Sequence, residues 1–142
     1  MRVLRRARAG LVLALLASAV GNAVAADSPE DAAQKAAESW LKLMDDGKYG
    51  ESWDAAAAIF KSAVTREQWA QAAGSVRSAV GKLQSRKLKS REFSATLPGA
   101  PAGQYVTIQY DSTFEKKGEA LETFVATLDA DGTWRAAGYF IK

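Results

Sequence analysis

The chain has 142 residues, no cysteine and no histidine, and a formal net charge of +3 at pH 7. The missing residue types exclude disulfides, thiol chemistry, histidine-ligated metals and serine–histidine catalysis. The positive charge belongs to the N-terminus: without the four arginines of residues 1–25, 15 lysines and arginines stand against 16 aspartates and glutamates, a net charge of −1. We therefore expect no nucleic-acid partner, because that kind of binding needs a basic surface.

The N-terminus has the three parts of a secretory signal peptide. Its arginines precede an apolar run over residues 11–20, and Ala23-Val24-Ala25 follows as a small-residue cleavage site. This run is shorter than the ~20 residues of a membrane-spanning helix. We therefore expect cleavage after Ala25, a single mature domain of residues 26–142 in the periplasm or outside the cell, and no integral membrane protein.

The mature chain is expected to begin with a long helix. Ser28 suits its N-cap and Pro29 its first position, and Gly47 ends it. Apolar residues recur along it at steps of three and four and predict a core-facing stripe: Ala33, Ala37, Trp40, Leu41 and Met44. Asp45 and Asp46 are interpreted as a solvated turn, because adjacent helical positions point about 100° apart and do not converge on one proton or ion.

Two more helices are predicted before the sheet. A short one runs from about Lys48 to Ala58 and contains Trp53. The next is opened by Thr65, which forms a capping box with Gln68, and runs to Gly81. Its apolar stripe includes Arg77, at a position where a solvated arginine is unexpected.

From Leu83 the hydrophobic period changes from helical to two, which predicts strands over residues 83–96, 105–116, 120–129 and 133–141. In the first strand, Arg86 and Leu88 share one face, and Lys87, Lys89 and Arg91 form a basic row on the other, interpreted as solvated. This order predicts an α+β fold, in which three N-terminal helices pack on a curved, four-stranded, mostly antiparallel sheet.

Charged residues on apolar faces are the main candidates for a site. Arg77, Arg86 and Glu122 each have apolar neighbours on their face, and an unpaired buried charge is costly. We therefore expect at least one arginine to pair with Glu122 in a structural ion pair. The alternative is an anion site, because a guanidinium suits a carboxylate or a phosphate.

Aromatic residues are weaker candidates. Tyr110 and Tyr139 are either buried hydroxyl donors or half-buried packing residues, since alternation alone does not settle which strand face they occupy. Trp53 and the other tryptophans belong to the core or to the mouth of a pocket. No catalytic residue, metal ligand or cofactor is predicted.

Short motifs spread over the mature chain also resemble a known family. They are Trp40-Leu41 with Asp45, Gly47 and Tyr49; Ser52-Trp53; Phe60, Trp69, Arg77, Gly81 and Ser85-Arg86; the stretch from Leu97 to Tyr105; Glu122-Thr123; Asp131-Gly132-Thr133-Trp134; and Gly138-Tyr139-Phe140-Ile141. This pattern resembles the bacterial domain-of-unknown-function family 4019, which is similar to the cystatin-like or nuclear-transport-factor-two-like superfamily. The resemblance implies a cone, a curved sheet around a long N-terminal helix, and supplies no activity.

The function predicted from these observations is that of an exported, non-enzymatic domain that binds a small ligand or a protein partner. One alternative is a cone-pocket hydrolase or isomerase that uses a carboxylate and a tyrosine, for which the superfamily offers ketosteroid isomerase as a precedent. A second is a protein-interaction module with a filled cone. A homodimer through the outer sheet face is also predicted, because Val125 and Phe140 are apolar residues on the face opposite Phe124 and Tyr139.

Overall fold

Four helices precede four strands in the computed structural model, which describes residue 21 and residues 26–142; the rest of the expected signal peptide lies outside the described residues. The helices are α1 (Pro29–Asp45), α2 (Tyr49–Asp54), α3 (Ala58–Ala63) and α4 (Arg66–Val80), and the strands are β1 (Leu83–Ser94), β2 (Tyr105–Phe114), β3 (Gly118–Leu128) and β4 (Trp134–Ile141). The strands form one open sheet in the order β1-β2-β3-β4, antiparallel throughout. The predicted α+β class is confirmed.

Helix α1 begins and ends where its sequence signals predict. The side chain of Ser28 accepts a hydrogen bond from the backbone N–H of Asp31 at 3.1 Å, and Pro29 opens the first turn. Gly47 follows the helix at φ +74°, a left-handed conformation that glycine adopts without steric cost. The predicted stripe is the buried face of the helix: Ala33, Ala37, Trp40, Leu41 and Met44.

The predicted second helix is divided into α2 and α3. The chain leaves the helical conformation after Asp54, and Ala57 is extended, with φ −67° and ψ 157°. The N–H of Ala57 donates to the carbonyl of Ala136 on β4 at 2.8 Å, and both alanines are buried. A tertiary contact with the sheet therefore overrides the helical propensity of the alanine run.

Helix α4 is capped at both ends. Thr65 and Gln68 bond reciprocally, since each side chain accepts from the other residue's backbone N–H, at 3.1 and 3.2 Å. Gly81 ends the helix at φ +79°. The inward face of α4 is formed by Ala73, Arg77 and Val80, so that the arginine on the apolar stripe is buried.

A β-bulge in β1 changes the predicted face of one basic residue. The register shifts between Leu88 and Ser90, which places Arg91 opposite the buried Ile108. Arg91 donates to Asp31 on α1 at 2.7 Å. Its assignment to the solvated row of Lys87 is therefore wrong, because one extra residue in a strand moves every later side chain to the other face.

The core lies between the helices and one face of the sheet. Trp40 is its centre, with ring centroids 5.5 Å from Phe124 and 5.3 Å from Tyr139, and its indole N–H donates to the carbonyl of Ser52 at 2.8 Å. Residues of the opposite parity, such as Val125 and Phe140, face away from the helices. Phe140 is 58% exposed, so the outer face of the sheet carries an exposed aromatic side chain.

Candidate functional site

Four charged side chains from four elements meet at the C-terminal end of α1. Asp45 lies between two arginines: its Oδ1 is 2.7 Å from Nη2 of Arg77, and its Oδ2 is 2.8 Å from Nη1 of Arg86. Arg86 also reaches Glu122, with 2.8 Å between Nε and Oε1. We call these four residues the charge network. Two guanidinium groups and two carboxylates make it electrically balanced.

Glu122 is the most deeply buried member of the network, at 0% exposure. It accepts hydrogen bonds from Nε and Nη2 of Arg86, from the hydroxyl of Ser112 at 2.5 Å and from the phenol of Tyr139. Both carboxylate oxygens are thus bonded, which compensates for the cost of removing the charge from water. Burial, followed by the neighbouring Glu122 charge, raises the pKa of Tyr139 far above its ordinary value.

The sequence predicts that Asp45 is a solvated turn residue. This prediction is wrong, because Asp45 is a member of the charge network. Its side chain is 23% exposed. Burial alone would raise the pKa of Asp45, but hydrogen bonds from Arg86 and Arg77 outweigh burial and hold that pKa below its usual value. The solvated interpretation fits Asp46, whose partner is the exposed Lys42 at 2.7 Å. Helix geometry predicts that the two aspartates diverge, but it does not show the arginines that α4 and β1 bring to Asp45.

The guanidinium group of Arg86 links the two carboxylates of the network, Asp45 and Glu122. Burial lowers the pKa of Arg86, but hydrogen bonds to Asp45 and Glu122 outweigh it and raise that pKa above the ordinary arginine value. Arg77 is 6% exposed and is also 3.4 Å from the hydroxyl of Tyr139. Arg77 therefore reaches Glu122 only indirectly, through Asp45 and Tyr139.

The structure brings together most of the residues predicted for a site. Arg86 and Glu122 are in direct contact, and Arg77 and Tyr139 adjoin them. Tyr110 lies on the same sheet face, with its ring centroid 6.0 Å from Cζ of Arg86. Its buried hydroxyl has no hydrogen-bond partner among the described residues, and burial raises the pKa of Tyr110 to about 12.

Trp53 is not part of this group. Its indole N–H donates to the carbonyl of Val64 at 2.8 Å, which joins α2 to the connection between α3 and α4. Two contributors to the network were missed from the sequence, Asp45 and Ser112. A signal existed for each, since Asp45 continues the four-residue row of Ala37 and Leu41, and Ser112 alternates with buried Tyr110 on β2.

An open apolar groove runs between α4 and β4, next to the network. Its volume is about 230 Å³, and Arg77 is the one charged residue among the described residues of its lining; the apolar lining is Met44, Trp69, Ala72, Ala73, Val76, Tyr139, Phe140 and Ile141. We call it the α4–β4 groove. Two large apolar side chains at the groove are unusually exposed, Val76 at 47% and Phe140 at 58%. Exposed apolar surface of this kind marks binding sites more often than scattered single residues do.

A second open cavity of about 570 Å³ lies beside the C-terminal end of α4. Its lining is mixed, with Asp45, Arg77, Lys82, Glu115 and Lys116 among apolar residues. It shares Met44 and Arg77 with the α4–β4 groove. The two cavities therefore meet at the buried arginine.

Neither a metal centre nor a membrane span is found in the described part of the chain. Residues 26–142 contain no group of three or more acidic side chains placed to hold a metal ion. No helix within the same residues has the length and apolar character needed to cross a bilayer.

Comparison with known protein families gives one match. A family model described as "Protein of unknown function (DUF4019)" matches residues 36–139, which include every member of the charge network and all the residues that line the groove except the last two. A search of curated proteins finds no match.

Proposed function

The chain belongs to the DUF4019 family of proteins of unknown function, and we propose that it is a non-enzymatic binding domain whose site is the α4–β4 groove. The observation that carries this proposal is the groove itself, which is apolar and has Val76 and Phe140 exposed beside it. Covering such surface is favourable by about 25 cal/mol per Å² of apolar area removed from water. A ligand or partner with an apolar portion is therefore the expected occupant.

The state of the charge network supports a structural role for it. A general acid or base must have a proton or a lone pair available to a substrate. Glu122 is instead engaged on both oxygens, and the Tyr139 hydroxyl donates to it. A hydrolase or isomerase that used these two groups would first have to break a buried, fully bonded arrangement, which costs several kcal/mol. Binding without chemistry requires no such step.

We place the mature domain outside the cytoplasm, on the basis of the signal-peptide pattern of residues 1–25. Expression of the full chain in a bacterium should yield a periplasmic or secreted product that starts at Ala26. Intact-mass measurement of the exported fraction tests this location independently of the groove. A product that keeps residues 1–25 and stays in the cytoplasm would contradict it.

A groove-filling substitution tests the proposed site. Ala72 is exposed on α4 and lines the groove, so Ala72→Trp places an indole there without disturbing the core. We expect the wild-type mature protein to bind the neutral dye Nile red with a rise in fluorescence, and Ala72→Trp to lose at least about tenfold in affinity, since the indole occupies the apolar space.

The matched control is Gln71→Trp. This residue is also exposed on α4, one position earlier, and does not line the groove. Circular dichroism should show that both variants are folded. Equal dye binding by the wild type and both variants would place the apolar site elsewhere and would reject the groove as the binding surface.

A further inference from the structure

We infer that the α4–β4 groove takes an extended peptide segment of a partner protein, which adds as a fifth strand beside β4. This inference rests on the proposed binding function of the groove and names the class of partner. Three features carry it: the open edge of β4, the small side chains of α4 opposite that edge, and the charge at one end of the sheet.

The free edge of β4 presents unpaired backbone groups to the groove. Lys142, directly after β4, exchanges two backbone hydrogen bonds with Leu121 of β3, at 2.9 and 3.0 Å. In an antiparallel pair such residues alternate with residues whose N–H and C=O point the other way. The backbone groups of Tyr139 and Ile141 therefore point away from β3, and no described residue forms a hydrogen bond with them.

The fold covers only the first half of this edge. The N–H of Ala57, at the corner between α2 and α3, donates to the carbonyl of Ala136. Further along β4, Tyr139, Phe140 and Ile141 line the groove instead. A strand that entered here would begin where the corner stops, and it would pair with backbone groups of the β4 edge that a small apolar molecule leaves unpaired.

The opposite wall of the groove has room for the side chains of such a strand. Ala72 and Ala73 are small residues of α4 in this wall, and the larger Trp69 and Val76 lie before and after them in the helix. Successive side chains of a strand point to opposite sides. Every second side chain of the peptide would therefore enter the apolar groove, while the others would remain in solvent.

Charge at the far end of the groove indicates the chemistry that flanks the apolar segment. Lys142 follows Ile141 directly, and Lys116 and Lys117 lie in the turn at the same end of the sheet. None of these three lysines is within ion-pair distance of a carboxylate among residues 26–142. A peptide that carries acidic residues beyond its apolar portion complements this end.

The test uses two fluorescein-labelled synthetic nonapeptides with alternating valine and threonine, one with two aspartates at its C-terminus and one with them at its N-terminus. A parallel fifth strand places the first pair at the lysine end, and an antiparallel strand places the second there. We expect one of them to bind the mature protein, measured by fluorescence anisotropy. Every second backbone nitrogen of the peptide can be methylated in two ways, at the odd or at the even positions. Only one of these two frames should abolish binding, because only one set of N–H groups faces β4.

Charge reversal tests the orientation. Lys142→Glu should weaken binding of the acidic peptide by about tenfold or more. The control Lys87→Glu makes the same charge change at an exposed residue of the opposite edge strand and should leave binding unchanged. Ala72→Trp should abolish binding of the peptide and of Nile red alike.

The failures of the two proposals are distinguishable. If the wild type binds Nile red but neither peptide, the strand inference is wrong and the groove function stands. If Nile red does not bind either, the groove function itself fails. Equal loss of peptide binding in both methylation frames, or no loss in either, also overturns the strand inference. A wild-type dimer in sedimentation that Ala72→Trp dissociates overturns it as well, because it would assign the groove to a second copy of the chain.

Discussion

Glu122 shows what the charge network contributes at the scale of single residues. A buried ion pair often adds little compared with apolar residues of equal volume, but removal of one partner costs about 3–5 kcal/mol because it leaves an uncompensated charge. Glu122 is fully buried, and its partners come from three different strands through Arg86, Ser112 and Tyr139. The network therefore fixes the relative positions of the elements around the groove.

Asp45 should make the free energy of unfolding depend on pH in the acidic range. Because its folded pKa lies below the unfolded value, its contribution is fully present above about pH 4, the ordinary aspartate pKa, and is lost as the pH falls through the folded pKa. We expect Asp45→Asn to lower the free energy of unfolding by about 1–3 kcal/mol at pH 7. That difference from the wild type should be smaller at pH 2 than at pH 7. Urea denaturation at the two pH values measures it.

The neighbouring Asp46 provides the control for this pH dependence. Its ion pair with Lys42 is exposed, so Asp46→Asn should change stability by less than about 0.5 kcal/mol at pH 7. If Asp45→Asn differed from the wild type by the same amount at both pH values, the electrostatic explanation would be wrong and the loss would be one of packing.

The site was predictable from the sequence as far as local periodicity reaches. Alternation places Arg86 and Glu122 among apolar neighbours, and burial then demands partners. It says nothing about which distant residue supplies each partner. The pairing expected of at least one arginine with Glu122 is made by Arg86, whereas Arg77 pairs with Asp45. That choice depends on where α1 ends relative to α4, which is a tertiary distance and not a local pattern.

At the scale of elements, Gly81 positions α4 against the sheet. The carbonyl of Val80, the last residue of α4, accepts from Lys116 at 2.9 Å and from Lys117 at 3.2 Å, in the turn between β2 and β3. Gly81 itself has φ +79° and ψ −169°, a region that is essentially restricted to glycine. The approach is so close that a Cβ on Gly81 would lie 3.0 Å from the backbone nitrogen of Lys116.

Two glycine substitutions separate backbone strain from this close approach. Gly47→Ala meets nothing within 4 Å and has φ +74°, so we expect it to cost about 1–2 kcal/mol from conformation alone. Gly81→Ala adds the collision with the turn and should cost at least about 2–3 kcal/mol. Urea denaturation of both variants measures the difference. Equal losses would show that the turn moves aside without cost.

Element prediction succeeded where signals were local and failed where the sheet intervened. The capping box of α4 and the glycines after α1 and α4 lie as predicted. The division of the second helix depends on one hydrogen bond from Ala57 to β4, and the face of Arg91 depends on a bulge. Both are consequences of pairing with distant residues, to which helical and strand periodicity are blind.

At the scale of the whole molecule, the helices cover only one face of the sheet. The outer face contains an apolar patch at β3 and β4: the ring of Phe140 lies over Gly138, where an added Cβ would be 3.4 Å from the ring and 3.8 Å from Val125. Phe140 also lines the α4–β4 groove, whereas Val125 belongs to the outer patch alone. It is the surface through which we propose a homodimer.

Substitution of Val125 tests that dimer. In an interface with two-fold symmetry a single change occurs twice, so Val125→Lys would bring two like charges into one apolar contact. We expect the wild-type mature protein to sediment as a dimer at high concentration and Val125→Lys as a monomer.

Thr113→Lys, on the same face but near the opposite end of β2, is the control and should remain dimeric. Nile red binding should be equal in all three proteins, because neither Val125 nor Thr113 lines the groove. A wild type that stays monomeric at millimolar concentration would remove the outer face as an interface, and a Val125→Lys protein that lost dye binding as well would show that the two surfaces are coupled through β4.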